Sequence, residues 1–211
     1  MDFYFHPASA PCRACQLTAK ALGVKFNPKE VDLMKGEQNN PEFLAINPMH
    51  CVPTLVDGDF TLWESRAICA YLVNQYGKDD SLYPKDPKTR ALVDRLMYFD
   101  MGTLTKRFGD YAYPTLLEGA PVKPEKLEAL MEALEWLDKD LAGRDYVAGS
   151  APTIADFVLV ASVATIVACG VDISGVTNVA AWYGRCKSSM AGFDENEDGA
   201  KGLGDYFKTK L

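Results

Sequence analysis

Histidine is nearly absent from this 211-residue chain, which has only His6 and His50. The two stand far apart, and no cluster of Cys, His, Asp or Glu shows metal-ligand spacing, so no metal is expected. Cationic charge is also short. Lys and Arg number 22 against 29 Asp and Glu, a net charge of −7, which argues against a partner with a phosphate backbone and so against nucleic acid. No apolar run approaches the roughly 20 residues of a bilayer span. Met1 to Pro7 carries neither a basic n-region nor an apolar h-region, so no secretion signal and a cytoplasmic location are expected. Glycine-rich phosphate loops are missing too. The six cysteines (Cys12, Cys15, Cys51, Cys69, Cys169, Cys186) are scattered through apolar patterns. Without a secretion signal they read as free thiols. What the chain does have is apolar mass. At 48% hydrophobic residues it can bury roughly 70% of its unfolded surface without cross-links.

The pattern changes character along the chain. Phe3-Tyr4-Phe5 reads as a short strand, and a second follows Phe26 and ends at Val31-Asp32-Leu33. Between them Cys12 to Leu22 has helical spacing, closed by Gly23. Pro41-Glu42 opens a brief helix. Two short strands flank the Asp57-Gly58 turn, and a helix runs from Glu64 to Tyr76. The order over residues 1–77 is β-α-β-α-β-β-α, which resembles a thioredoxin-like domain. Residues 78–86 are polar and turn-rich and read as a linker. From 87 to 211 the chain reads as all-helical, giving an α+β, two-domain architecture. Asp86-Pro87 starts a long helix with Leu92, Leu96, Phe99 and Thr103 on one face. Leu127, Leu130, Leu134, Leu137 and Leu141 mark another. Thr153-Ile154-Ala155-Asp156 is a capping-box start ahead of the apolar run Phe157–Ala168, which belongs in the middle of a bundle. Asn178 is expected to cap one further helix through Trp182.

The most informative stretch is Val52 to Ile68. Pro53 heads an apolar run where it cannot donate to a ladder, which frees the Val52 backbone to pair with another extended chain. Glu64 and Ser65 then open a helix, placing a carboxylate, a hydroxyl and unpaired N–H groups where a charged amino-acid end could dock. Five segments resemble the arthropod Delta-class glutathione transferases: Pro7 to Arg13, Val52-Pro53, Glu64-Ser65-Arg66, Tyr98 to Leu104, and Thr153 to Phe157. The resemblance implies a cis-proline at Pro53, with Cys51 and Val52 along the glutathione cysteinyl backbone. It implies Glu64 and Ser65 on the γ-glutamyl group, and His50 and Arg66 at the carboxylates or site walls. Gln38 stands where the class usually carries histidine. A hydrophobic second substrate would meet Phe108, Tyr111, Tyr113 and, from the C-terminal tail, Phe207. Glutathione would be the co-substrate, with no resident cofactor. The family is dimeric, which implies a homodimer with Tyr98 near its two-fold axis.

The same resemblance makes Ser9 the catalytic residue, and elementary energetics say what it must do. The nucleophile is a thiolate, while a free thiol has a pKa near 8.5. Lowering it by about two units requires roughly 2.7 kcal/mol of preference for the anion. A hydrogen bond to a charged group supplies roughly 1.5–3 kcal/mol and a helix N-terminus roughly 0.3–1. A serine hydroxyl just ahead of a helix suffices, acting as donor and keeping its own proton.

Two other signals are weaker. Cys12-Arg13-Ala14-Cys15 spells C-x-x-C, a redox pattern, but its register puts Ser9 where an attacking cysteine would stand. Asp194 to Asp205 matches much of a calcium loop, with Asp in place of the closing Glu. Lys201 breaks that pattern, so the stretch reads as an acidic surface loop. The expected activity is transfer of glutathione to hydrophobic electrophiles, as in detoxification. The alternatives are a non-catalytic binder of hydrophobic ligands and a thiol-disulfide oxidoreductase.

Overall fold

A computed structural model describes residues 1–211. The N-terminal part contains β1 (Asp2–Phe5), α1 (Ala10–Leu22), β2 (Asn27–Glu30), a 3-10 turn (Glu37–Asn39), α2 (Pro41–Leu44), β3 (Thr54–Asp57), β4 (Phe60–Trp63) and α3 (Ser65–Tyr76). The sheet order is β2-β1-β3-β4, with β1 parallel to β2 and the other pairings antiparallel. Phe3 and Leu55, from β1 and β3, are fully buried, and α1 packs on α3. The second strand ends earlier than its sequence suggests. Val31 still donates to the Phe5 carbonyl at 2.8 Å. Asp32 then folds its carboxylate onto the N–H groups of Met34 and Lys35, a side-chain turn that terminates pairing.

The helical part contains α4 (Pro87–Phe99), a π turn (Asp100–Leu104), α5 (Thr105–Glu118), α6 (Pro124–Leu141), α7 (Ile154–Ala168), α8 (Thr177–Ser189) and α9 (Phe193–Lys208). Asp86 caps α4 through the Thr89 N–H. The buried stripe of α4 runs through Val93, Leu96 and Met97, whereas Leu92 is exposed. Of the expected Leu92–Thr103 face, Leu96 is buried and Phe99 and Thr103 are half-buried, while the buried stripe continues through Asp100 and Leu104 of the π turn. α7 is buried nearly all round and packs against α1, α4, α8 and α9. Its capping box forms, and Asp156 also accepts from Val147 N and Trp182 Nε1, both at 2.9 Å.

Two expectations are corrected. Asn178 does not cap α8. Instead Asp138 of α6 accepts from the backbone N–H of Asn178 and Val179, at 2.7 and 3.0 Å, and so caps the helix from a neighbouring element. The acidic stretch is neither an ion loop nor a surface loop but most of α9. Phe193, Asn196, Ala200, Gly204 and Phe207 form its buried face, at helical spacings of three and four.

Candidate active site

The strand register gathers the site. Thr54 pairs with Tyr4 on one side and Trp63 on the other. The residues just beyond this rung are therefore neighbours at one end of the sheet: the loop to Ser9 after β1, Val52-Pro53 before β3, and Glu64-Ser65 after β4. Brought together there are two hydroxyls, one carboxylate, one stretch of open backbone and two helix starts.

Ser9 is the N-cap of α1. Its oxygen accepts the Cys12 N–H at 3.4 Å, a long bond, and its own proton has no partner in the chain. No acidic side chain occupies the first turn of α1, so the partial positive charge of the helix end is uncancelled. Cys12 and Cys15 are fully buried behind it. Burial pushes the Cys12 thiol up to about 11 and that of Cys15 well above its ordinary value. Both lack the exposure of a reactive cysteine.

The Val52–Pro53 peptide is cis, and neither the N–H nor the C=O of Val52 has an intramolecular partner. Asn47, absent from the sequence-based site, organises this turn. It is fully buried, and its amide reaches the Cys51 carbonyl at 3.2 Å and Thr54 Oγ1 at 2.8 Å. The only signal for it was Asn-Pro ahead of the turn. His50 (φ 44°) and Glu64 (φ 71°) adopt positive φ, uncommon for such residues, and both are exposed. The Glu64 carboxylate makes no hydrogen bond within the chain, although it adjoins the start of α3. Ser65 is buried, and its carbonyl accepts from the Cys15 thiol at 3.5 Å.

Arg66 is turned inward. Its guanidinium meets Asp100, the Met97 carbonyl (3.3 Å) and Ser65 Oγ (3.2 Å). Asp100 lies fully buried in the π turn; burial raises its pKa against the opposing pull of Arg66. Gln38 stands in the 3-10 turn with a buried, unpartnered Oε1.

Beside Ser9 opens a cavity of about 260 Å³, walled by Pro11, Phe108, Tyr113, Ile166 and Leu203 and by the hydroxyls of Thr105, Ser162 and Thr165. Phe108 and Tyr113 thus stand at the cavity. Tyr111 and Phe207 do not line it. Both are buried, with ring centroids 5.7 Å apart, because Phe207 belongs to the last turn of α9 rather than to a tail. The three hydroxyls escaped sequence reading because two sit inside the apolar run of α7. Their spacing with Ile166 (162, 165, 166) nonetheless marks one helix face.

The geometry matches known families over both halves of the chain. Residues 1–74 fit the glutathione S-transferase N-terminal domain and residues 120–185 the glutathione S-transferase C-terminal domain. The chain belongs to the glutathione S-transferase family. A delta-class glutathione transferase of Nilaparvata lugens is 50% identical, covering 100% of this chain and 99% of its own, with a TM-score of 0.97. A Bombyx mori glutathione transferase is 44% identical over 97% and 96% of the two chains, TM-score 0.94. A Drosophila mojavensis homologue, solved with bound glutathione, is 40% identical over 99% and 96%, TM-score 0.94. This glutathione S-transferase thus sits among insect delta- and epsilon-class relatives. The family takes glutathione as its co-substrate and needs no further cofactor.

Proposed function

We propose that the enzyme ionises glutathione's thiol through Ser9 and adds the sulfur to small hydrophobic electrophiles. The observation that carries this reading is the single Ser9 hydroxyl, with a free proton at an uncancelled helix end, facing an apolar cavity. The open Val52 backbone suits a glutathione cysteinyl unit, flanked by Cys51 and Pro53. The exposed Glu64 carboxylate with Ser65 suits the γ-glutamyl ammonium and carboxylate, and His50 and Gln38 suit the glycyl end. Arg66 contributes by holding Ser65 rather than by touching the tripeptide. Phe108 and Tyr113 serve the electrophile directly, while Tyr111 and Phe207 support the wall from behind. Conjugation of an aryl halide, measured alongside the ultraviolet absorbance of bound thiolate, tests the reading. Turnover without a thiolate signal would remove Ser9 from its role.

We place the enzyme in the cytoplasm: all six cysteines are free, and no helix is long and apolar enough to cross a membrane. We also propose a homodimer joined near Tyr98, an aromatic side chain that stands 68% exposed on α4. Tyr98→Ala should raise the monomer fraction in sedimentation equilibrium, and an unchanged distribution would exclude Tyr98 from the interface.

A further inference from the structure

The cavity beside Ser9 has a second compartment. Thr105 and Tyr113 are shared with a broad hollow of about 500 Å³ along the outer side of α5, lined also by Met101, Lys106, Asp110 and Glu118. At about 260 Å³ the inner compartment falls just under the roughly 300–1,000 Å³ usual for small-molecule sites, whereas the two together fall within it. The inner one is the more enclosed of the two and largely apolar. The outer one is an open shelf with an apolar strip of Met101, Tyr113 and Pro114.

Tyr113 forms the neck between them. Its ring stands edge-on to Phe108, centroids 6.3 Å apart, and its hydroxyl has no partner in the chain. The ring lies over Gly109, where an added Cβ would come within 3.2 Å of two ring carbons. Glycine at this position lets the ring rest against α5, and a Cβ there would displace it by a few tenths of an ångström. The charges about the shelf balance in number but not in place. Lys106 is engaged by Asp110 at 2.9 Å, and Lys126 approaches the same carboxylate at 4.0 Å. Glu118 has no cationic partner, so one unpaired carboxylate stands at its end of the shelf.

Building on the transfer reading above, we infer that the second substrate is an elongated electrophile. Its reactive end enters the inner compartment, and a neutral or cationic tail crosses Tyr113 to lie on the shelf. A single-ring reactant fills only the inner part. A longer tail gains apolar contact with Met101, Tyr113 and Pro114, and a carboxylate tail that reaches Glu118 meets an unpaired carboxylate.

The test is a series of n-alkyl isothiocyanates from ethyl to nonyl, with nonyl analogues ending in carboxylate or trimethylammonium. The glutathione thiolate forms a C–S bond to the central carbon, the C=N pair moves to nitrogen, and nitrogen takes a proton from water; nothing leaves. For the wild-type enzyme kcat/KM should climb by up to about fourfold per methylene until the shelf is covered. Gly109→Ala lifts the Tyr113 ring into the neck and should cut the nonyl-to-ethyl ratio by roughly tenfold, in line with modest overpacking. Glu118→Gln should shrink the preference for the cationic over the carboxylate tail by about two- to fivefold. An active enzyme whose kcat/KM ignores tail length, or a Gly109→Ala variant slowed equally on every member, would overturn the two-compartment site alone. Inactivity towards every member and towards an aryl halide would overturn the transfer reading as well.

Discussion

Ser9 can do two things at once, because a hydroxyl accepts with its lone pairs and donates with its proton. Accepting the Cys12 N–H caps α1, and in the proposed mechanism donating its proton steadies a thiolate. The two roles separate by mutation. An alanine N-cap costs roughly 0.5–2 kcal/mol, but a glycine only a few tenths, and the 3.4 Å cap bond puts Ser9→Ala at the low end. Removing the donor forfeits roughly 1.5–3 kcal/mol of anion stabilisation, about 10- to 150-fold in rate. Ser9→Ala and Ser9→Gly should therefore lose transferase kcat/KM equally while differing in urea stability. A glycine variant that keeps near-wild-type turnover would show the proton to be dispensable. Ser9, Val52, Glu64 and Ser65 could be nominated as candidates because each belongs to a short segment with its own local chemistry. Asn47, Thr105 and Ser162 could not, since each acts through a neighbour distant in sequence.

Among elements, α9 shows why the acidic stretch misled. Gly199, Gly202 and Gly204 lower helix propensity and, with five acids, mimic a loop. Yet two of these glycines exist because of the packing. A Cβ at Gly199 would overlap the Pro7 carbonyl beside the site, and one at Gly204 would overlap the Ala168 carbonyl of α7, while Gly202 has nothing within 4 Å. Gly204→Ala should cost about 1–3 kcal/mol by overpacking, whereas Gly202→Ala should stabilise by about 0.5–1 kcal/mol. Thermal unfolding of the two variants checks this, and a matching gain at both positions would mean α9 does not seat tightly on α7. The β3–β4 hairpin is pinned to α3 in another way: Tyr71 (2.8 Å) and Tyr76 both donate to Asp57. These bonds hold the Asp57 carboxyl below its ordinary 3.8, the Tyr76 bond contributing most. Such a group adds stability that is present above pH 4 and lost as pH falls through the lowered value. Wild type should exceed Asp57→Asn in stability at pH 6, with the gap closing below pH 4 in parallel urea titrations. A gap that persists at pH 2 would assign the effect to packing. The strands and α1, α3, α6 and α7 were readable from periodicity and caps. The end of β2 and the cap of α8 were not, because a side-chain turn and a carboxylate from another helix decided them.

On the scale of the whole molecule, the sheet end carries Ser9 and the helices carry the electrophile wall, so their relative placement decides whether sulfur and electrophile meet. Arg13 fixes it. One turn beyond Ser9 on α1, its guanidinium is fully buried and reaches the Asn196 carbonyl and Oδ1 of α9, each at 2.7 Å, and the Ala161 carbonyl and Thr165 Oγ1 of α7. No carboxylate pairs with it, and burial lowers its pKa to about 10, so it stays charged at neutral pH with neutral oxygens as its only neighbours. Thr165 also lines the cavity, which ties this clamp to the substrate wall. Lysine keeps the charge but offers a point instead of a planar fork, so Arg13→Lys cannot span α7 and α9 together. Loss of such charge-assisted bonds should lower unfolding stability by roughly 1.5–3 kcal/mol. The kinetic signature should fall on one substrate. KM for the electrophile should rise severalfold as the α7 wall drifts from Ser9, while KM for glutathione, proposed to bind within the sheet-end cluster, should change less than twofold. Equal increases in both values would instead place the role of Arg13 in the local shape of α1.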